Sequence, residues 1–263
     1  MTAYLVVCLV SLLTSGVTLY SGFGLGTVLL PVFALVFPPE TAIAATALVH
    51  GANNVFKLAL VGARADRGLV LRFGLPAIAA AAAGAAAMGY VSHFGEIVRY
   101  SVGPREAVVT PLKLAMAGLM VFFAVFELLP RLRALRFDRK YLVLGGLLSG
   151  FFGGFSGHQG ALRSAFLVKV GVSTGAFVGT NAVIGFLVDA VRIAVYAWVF
   201  LAAGEGSPIA PGEWPLILVA ALSAFAGVLL GKRHLHAVTM GTVQTLTGGL
   251  LVAIAVALGS GLV

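Results

Sequence analysis

Apolar runs of about twenty residues or more, barely broken by charge, follow one another along this chain, and a run of that length is enough to cross the roughly 30 Å hydrocarbon core of a bilayer. They cover residues 4–37, 41–61, 69–91 and 109–129, then 141–172, 175–203, 214–230 and 238–261. Lipid offers backbone groups no partner, so with so few charges in the runs the expected spanning structure is a helical bundle. Composition excludes a water-soluble domain: 60% of the residues are hydrophobic, 10% are charged and the mean hydropathy is +1.07, against about 25% charged in soluble domains. The reading is an all-α polytopic membrane protein. Cys8 is the single cysteine, which excludes a disulfide framework. Residues 1–10 contain no Lys or Arg, so the first run lacks a basic leader and is expected to belong to the mature protein.

Two runs are too long for one crossing, since about 30 helical residues would extend roughly 45 Å. Both are interrupted by glycine. The first holds Ser21-Gly22-Phe23-Gly24-Leu25-Gly26 and the second Gly153-Gly154-Phe155-Ser156-Gly157-His158-Gln159-Gly160. Clustered glycine weakens a helix and permits reversal, so each run is expected to divide into a hairpin of two short helices. A long tilted helix with packing notches is the alternative. The breaks fall in register: a displacement of 134 residues places Ser15-Gly16 on Ser149-Gly150, Gly26 on Gly160, Ala42 on Ala176 and Thr46 on Thr180. Such self-similarity marks an internal repeat. The Ala/Gly-rich stretch 77–89 is expected to pack closely against a neighbouring helix through its small residues.

Charge orients the repeats. Nine basic residues lie in three loops: Arg64 and Arg67, then Arg131, Arg133, Arg136, Arg139 and Lys140, then Lys232 and Arg233. The remaining loops hold Arg99 and Arg105, offset by Glu96 and Glu106. If the broken runs are hairpins, all nine lie on one side, against two on the other; if they are single crossings, the division is seven against four. Positive residues concentrate in cytoplasmic loops, which favours the hairpins. The halves are then inverted-topology repeats, each with a Gly-broken hairpin and about three transmembrane helices. The first repeat spans 1–130, a basic cytoplasmic linker 131–140 and the second repeat 141–263, with both termini outside the cytoplasm. The formal charge of +8 belongs to these loops and implies no nucleic-acid partner.

Ionisable groups inside a membrane are costly and mark function by default. His50, Asn53, Asn54 and Lys57 share one helix face, and Thr46 extends that face by a turn. In the matching segment Asn181, Asp189 and Arg192 share a face, with Thr180 nearby. Asp189 and Arg192, spaced i, i+3, read as a structural ion pair or, with a proton, as a coupling site. Lys57 is expected to snorkel, and Lys113 and Glu127 to lie at the interface. The second break places Ser156, Gly157, His158, Gln159, Gly160 and Arg163 at a helix start within the membrane. Free N–H groups, the positive end of a helix dipole and a guanidinium together suit an oxyanion. The first break adds Gly24 and Gly26 but no charged side chain. The alternative is that Arg163 snorkels or neutralises Asp189.

The stretch 22–26 followed by Pro31 and 42–48, and its counterpart 150–160 followed by 176–180, resemble the TauE/SafE family of sulfite and organosulfonate exporter-like transporters over nearly the whole chain. The departure is Ser156-Gly157-His158-Gln159-Gly160, where many members carry a plainer glycine run and a later proline; Ala165 holds that place. The resemblance implies a multi-pass plasma-membrane secondary transporter for a small sulfur anion such as sulfite, a sulfonate or thiosulfate. An anion channel using the same pocket is the second reading. The chain has no His-Glu-x-x-His, cysteine pair or phosphate-binding G-x-x-x-x-G-K-[ST] run, so it reads as no enzyme, with no cofactor or metal. Protons and sodium are the candidate coupling ions, and self-association stays open.

Overall fold

The computed structural model describes residues 2–18, 24–202, 204, 206–234 and 240–263, with the backbone alone at 232–234, 240, 242 and 243. Ten helices carry the described fold: α1 (Thr2–Val17), α2 (Leu25–Ala34), α3 (Pro39–Val61), α4 (Arg67–Ser92), α5 (Pro111–Leu128), α6 (Leu142–Ser156), α7 (Gly160–Leu167), α8 (Thr174–Ala202), α9 (Trp214–His234) and α10 (Met240–Gly259). The segments Arg67–Ser92, Pro111–Leu128, Thr174–Ala202 and Pro211–Gly231 are long and apolar enough to cross a membrane. The chain is a helical membrane protein. Local chemistry sets the starts: Asp66 accepts from the Leu69 N–H (2.9 Å) at α4, and Thr110 accepts from Lys113 N–H (3.2 Å) ahead of Pro111 at α5.

Both long runs divide, as the glycine clusters lead one to expect. α6 ends at Gly157, whose φ of 83° is a left-handed cap, and α7 begins three residues later. The chain then doubles back: Ser149 donates to the Gln159 carbonyl (2.9 Å), and the Phe166 ring lies against Gly145. In the first half α1 and α2 are separate helices in contact, while Ser21, Gly22 and Phe23 lie outside the described residues.

Helix pairing fixes direction. α4 and α6 run parallel, with Gly146, Gly150 and Gly154 against the carbonyls of Phe73, Ala77 and Ala81. α1 and α9 also run parallel, with Gly227 and Gly231 against Leu12 and Gly16. α3 runs antiparallel to α8: Gly179 meets the Val61 carbonyl at one end, and Thr41 donates to the Pro208 carbonyl (2.5 Å) at the other. α5 and α10 are antiparallel too, pairing Leu128 with Gly248 and Ala117 with Gly259. The small-residue stretch in α4 is therefore a helix–helix seam, as its composition implies.

The all-α reading needs one amendment. Between α4 and α5 lies a β-hairpin of β1 (Val98–Val102) and β2 (Arg105–Val109), turned at Gly103 with φ 60° and Pro104. The β-branched and aromatic residues Val98, Tyr100, Val102, Val108 and Val109 on the two sides of Gly103-Pro104 carry that signal. Arg99 clasps Glu96 (2.9 Å) and Glu106 (3.0 Å), and those carboxylates hold its guanidinium above its ordinary range. The Val108 N–H bonds the Gly261 carbonyl (3.0 Å), tying the hairpin to the chain end after α10. At the opposite end of the bundle Arg133 donates to the Glu127 carbonyl and to Thr245, which sets the basic linker beside the start of α10. There the exposed Lys169 pairs with Asp138 (3.0 Å) and holds its carboxyl below the usual range.

Candidate functional site

The antiparallel crossing of α3 and α8 brings the two polar stripes together, and the end of the α6–α7 hairpin closes over them. Asp189 is the hub. Its Oδ2 accepts from His50 Nδ1 (2.6 Å) and Asn54 Nδ2 (2.7 Å), which stand one helical turn apart on α3. Its Oδ1 accepts from Gln159 Nε2 (3.2 Å) and lies 2.9 Å from Arg192 Nη2. Gln159, at the head of α7, turns its Oε1 to Arg163 Nη1 (2.9 Å), and Arg163 Nε donates to Asn181 Oδ1 (2.7 Å). These side chains are all buried. One polar chain therefore links α3, α7 and α8.

The first turn of α2 and the second break meet at this hub. A methyl group on Gly26 would lie 3.2 Å from the Gly157 carbonyl and 3.4 Å from the His50 ring. One on Gly157 would lie 2.7 Å from Arg192 Nη1, so a side chain there is excluded both by its φ and by the guanidinium. Gly185 lets Asn54 and Arg163 approach closely: a methyl group there would lie 2.8 Å from Asn54 Nδ2 and 3.2 Å from Arg163 Nη1. Arg192 Nη1 donates to the Gly153 carbonyl (3.3 Å), but Nε has no hydrogen-bond partner. Nη2 faces Asp189 as an ion pair out of hydrogen-bond alignment. His158 Nε2 and Asn53 Nδ2 are likewise buried without a partner.

Residues 7–258 match the family described as sulfite exporter TauE/SafE, which is nearly the whole chain. The chain belongs to the TauE/SafE family. Neither a curated protein nor a solved structure matches it. TauE/SafE proteins are membrane transporters of sulfur anions, not enzymes. In this TauE/SafE chain the buried network lies between the long helices α3 and α8 and the short helix α7.

Not every candidate from the sequence joins the network. His50, Asn54, Gly157, Gln159, Arg163, Asn181, Asp189 and Arg192 meet, with Gly26 backing them. Ser156 and His158 form a second wall: their side chains lie 3.0 Å apart, and the imidazole stacks on Phe123 of α5 at 4.9 Å and 10°. Asn53 turns toward α1 and accepts from Ser15 (3.1 Å). Thr46 donates to its own Ala42 carbonyl (2.7 Å). Gly24 opens α2 with φ 121°, and Gly160 opens α7. Thr180 lies apart, accepting from the Asp66 N–H (2.9 Å) at the basic end. We expect Thr180→Val to lower stability by about 1 kcal/mol through that lost acceptor. Thermal unfolding should show the loss while anion affinity stays unchanged.

Two further positions correct the sequence reading. Glu127 is 2% exposed rather than interfacial, because Gly248 lets α10 close over it. Tyr196 was missed as a site-facing residue, although the spacing Asp189, Arg192, Tyr196 continues one stripe. Its hydroxyl donates to the Gly154 carbonyl. Above it a cavity of about 240 Å³, walled by Ala44, Leu48, Ile193, Leu201 and Trp214, opens beside the loop at 206–209. Among the described residues no cluster of three or more His, Cys, Asp or Glu side chains could hold a metal ion.

Proposed function

We propose that this protein is a secondary carrier of a small sulfur anion such as sulfite, a sulfonate or thiosulfate, bound where the first turn of α2 meets the second break. The observation that carries the reading is Arg192: fully buried, held in place by the Asp189 carboxylate 2.9 Å from its Nη2, and left with an Nε–H that no protein acceptor uses. A buried guanidinium N–H without an acceptor is a donor that an oxyanion satisfies through a charge-assisted hydrogen bond. Arg163 supplies a second guanidinium nearby, so two arginines share the buried site with the single carboxylate of Asp189. The start of α7 adds amide groups and the positive end of its dipole.

Alternating access follows from halves of opposite orientation. In support of that relation, α3 and its counterpart α8 run antiparallel, and α1 packs on α9 as α6 packs on α4. The repeats are 1–130 and 141–263, joined by the basic linker 131–140. With the basic end in the cytoplasm, the apolar cavity beside 206–209 opens toward the outer face of the plasma membrane. An ion gradient supplies the energy.

Purified protein in liposomes should show saturable, counter-substrate-stimulated flux of at least one of sulfite, thiosulfate or a sulfonate, in preference to chloride. Arg192→Lys keeps a charge beside Asp189 but removes the Nε–H, and Arg163→Gln removes a charge. Each should weaken affinity about tenfold or more, roughly 1.4 kcal/mol, whereas Arg136→Gln at the exposed linker should not. Wild-type affinity in both folded variants would remove the arginines from the site. Absence of saturable flux for every sulfur anion would reject the carrier.

A further inference from the structure

Glu127 is a buried acid that the anion site does not use. It stands near the end of α5, 2% exposed, with α10 closed over it at Gly248 and the Gln244 side chain hydrogen-bonded to its carboxyl. Its Oε2 is buried without a hydrogen-bond partner. The nearest cation is Arg133, but that guanidinium is engaged elsewhere. Its Nε donates to the Glu127 main-chain carbonyl (3.0 Å), and its Nη2 donates to the same carbonyl and to Thr245 Oγ1 (3.4 Å). α10 and α2, which pack on this region, contribute no titratable side chain among the described residues. The contrast with Asp189, which faces two amides, an imidazole and a guanidinium, is sharp.

A carboxylate shut away from water with one oxygen unbonded is a poor place for a charge and a good place for a proton. Glu127 also stands one helical turn from a contact with the second break. Phe123, one turn earlier on α5 and on the same face, carries the stacked His158 of the second break. The α5–α10 seam is thus continuous in packing with the second break.

We propose that Glu127 is a proton-binding site of the transport cycle. The O–H bond on its carboxyl persists while the seam is closed as described, and the proton passes to water when the seam opens at the basic end. Arg133 is then placed to meet the carboxylate. The inference rests on the carrier reading and adds to it the identity of the coupling ion and the residue that binds it.

The test uses wild-type protein and Glu127→Gln in liposomes, with thiosulfate and ethanesulfonate as probes, because their charge does not change near neutral pH. Wild-type flux should rise several-fold under an imposed pH gradient, with proton movement reported by a trapped pH dye. Glu127→Gln copies the shape of the protonated acid. It should keep its thermal stability and its exchange flux at equal pH, yet respond to the gradient less than twofold and move no protons. A gradient response that survives in Glu127→Gln, or wild-type flux indifferent to the gradient, overturns the proposal while leaving the carrier intact. A Glu127→Gln protein that loses equal-pH exchange as well overturns it in favour of a structural role. No flux of any sulfur anion in the wild type overturns the carrier reading, and this inference with it.

Discussion

Asp189→Asn should reduce the stability of the folded protein by about 3–5 kcal/mol, the range found when one partner of a buried ion pair is removed. Arg192 and Asp189 are both 0% exposed and 2.9 Å apart, so the guanidinium cannot turn to water when its counter-charge goes. The loss spreads further. His50, Asn54 and Gln159 all donate to the same carboxylate, and a neutral amide there offers one acceptor oxygen where the acid offered two. Thermal unfolding in detergent measures the effect. A second signature is specific to this charge arrangement: an added oxyanion should stabilise Asp189→Asn more than the wild type, because it replaces the missing negative charge beside Arg163 and Arg192. Wild-type thermostability combined with lost transport would show instead that Asp189 acts in the transport path and is dispensable for the fold.

The sequence carried the large features because they are local or periodic. Apolar runs of spanning length and glycine clusters are readable without knowing any neighbour, and they led to α6 ending at Gly157 and α7 beginning at Gly160. Helical spacing likewise placed His50 with Asn54, and Asp189 with Arg192, on single faces. What spacing cannot reveal is which neighbour each side chain chooses. Thr46 and Thr180 occupy matching positions, yet one hydroxyl turns to its own backbone and the other receives the Asp66 N–H. Asn53 lies one residue from Asn54 and faces a different helix. Gln159 was legible as a residue at a helix start, but its bridge between Asp189 and Arg163 depends on α7 folding back over α8. Glu127 misled because nearness to a segment end suggests an interface only when the neighbouring helix leaves room, and Gly248 does not.

Gly150→Ala should cost about 3 kcal/mol, at the upper end of the usual range for overpacking, although it adds a single methyl group. Between helices in lipid there is little hydrophobic driving force, and close packing of small residues supplies the attraction instead. Gly146, Gly150 and Gly154 recur at the same face of α6, and each lets a carbonyl of α4 approach: Phe73, Ala77 and Ala81. A Cβ at Gly150 would overlap the Ala77 carbonyl oxygen, a backbone atom that cannot rotate away. The helices must separate, and the contacts at Gly146 and Gly154 weaken with the one replaced. Function should fall as well, because α6 ends at Gly157 against Arg192, and a displaced α6 carries the break with it. Gly249→Ala is the matched control: it lies in α10, exposed, with no atom within 4 Å of an added Cβ. That change should be neutral or gain up to about 1 kcal/mol from helix propensity. Thermal unfolding and sulfur-anion exchange on both variants decide the matter. Equal stability for the two would mean that α4 and α6 are not held by this contact, and that the second break owes its position to the Asp189 network alone.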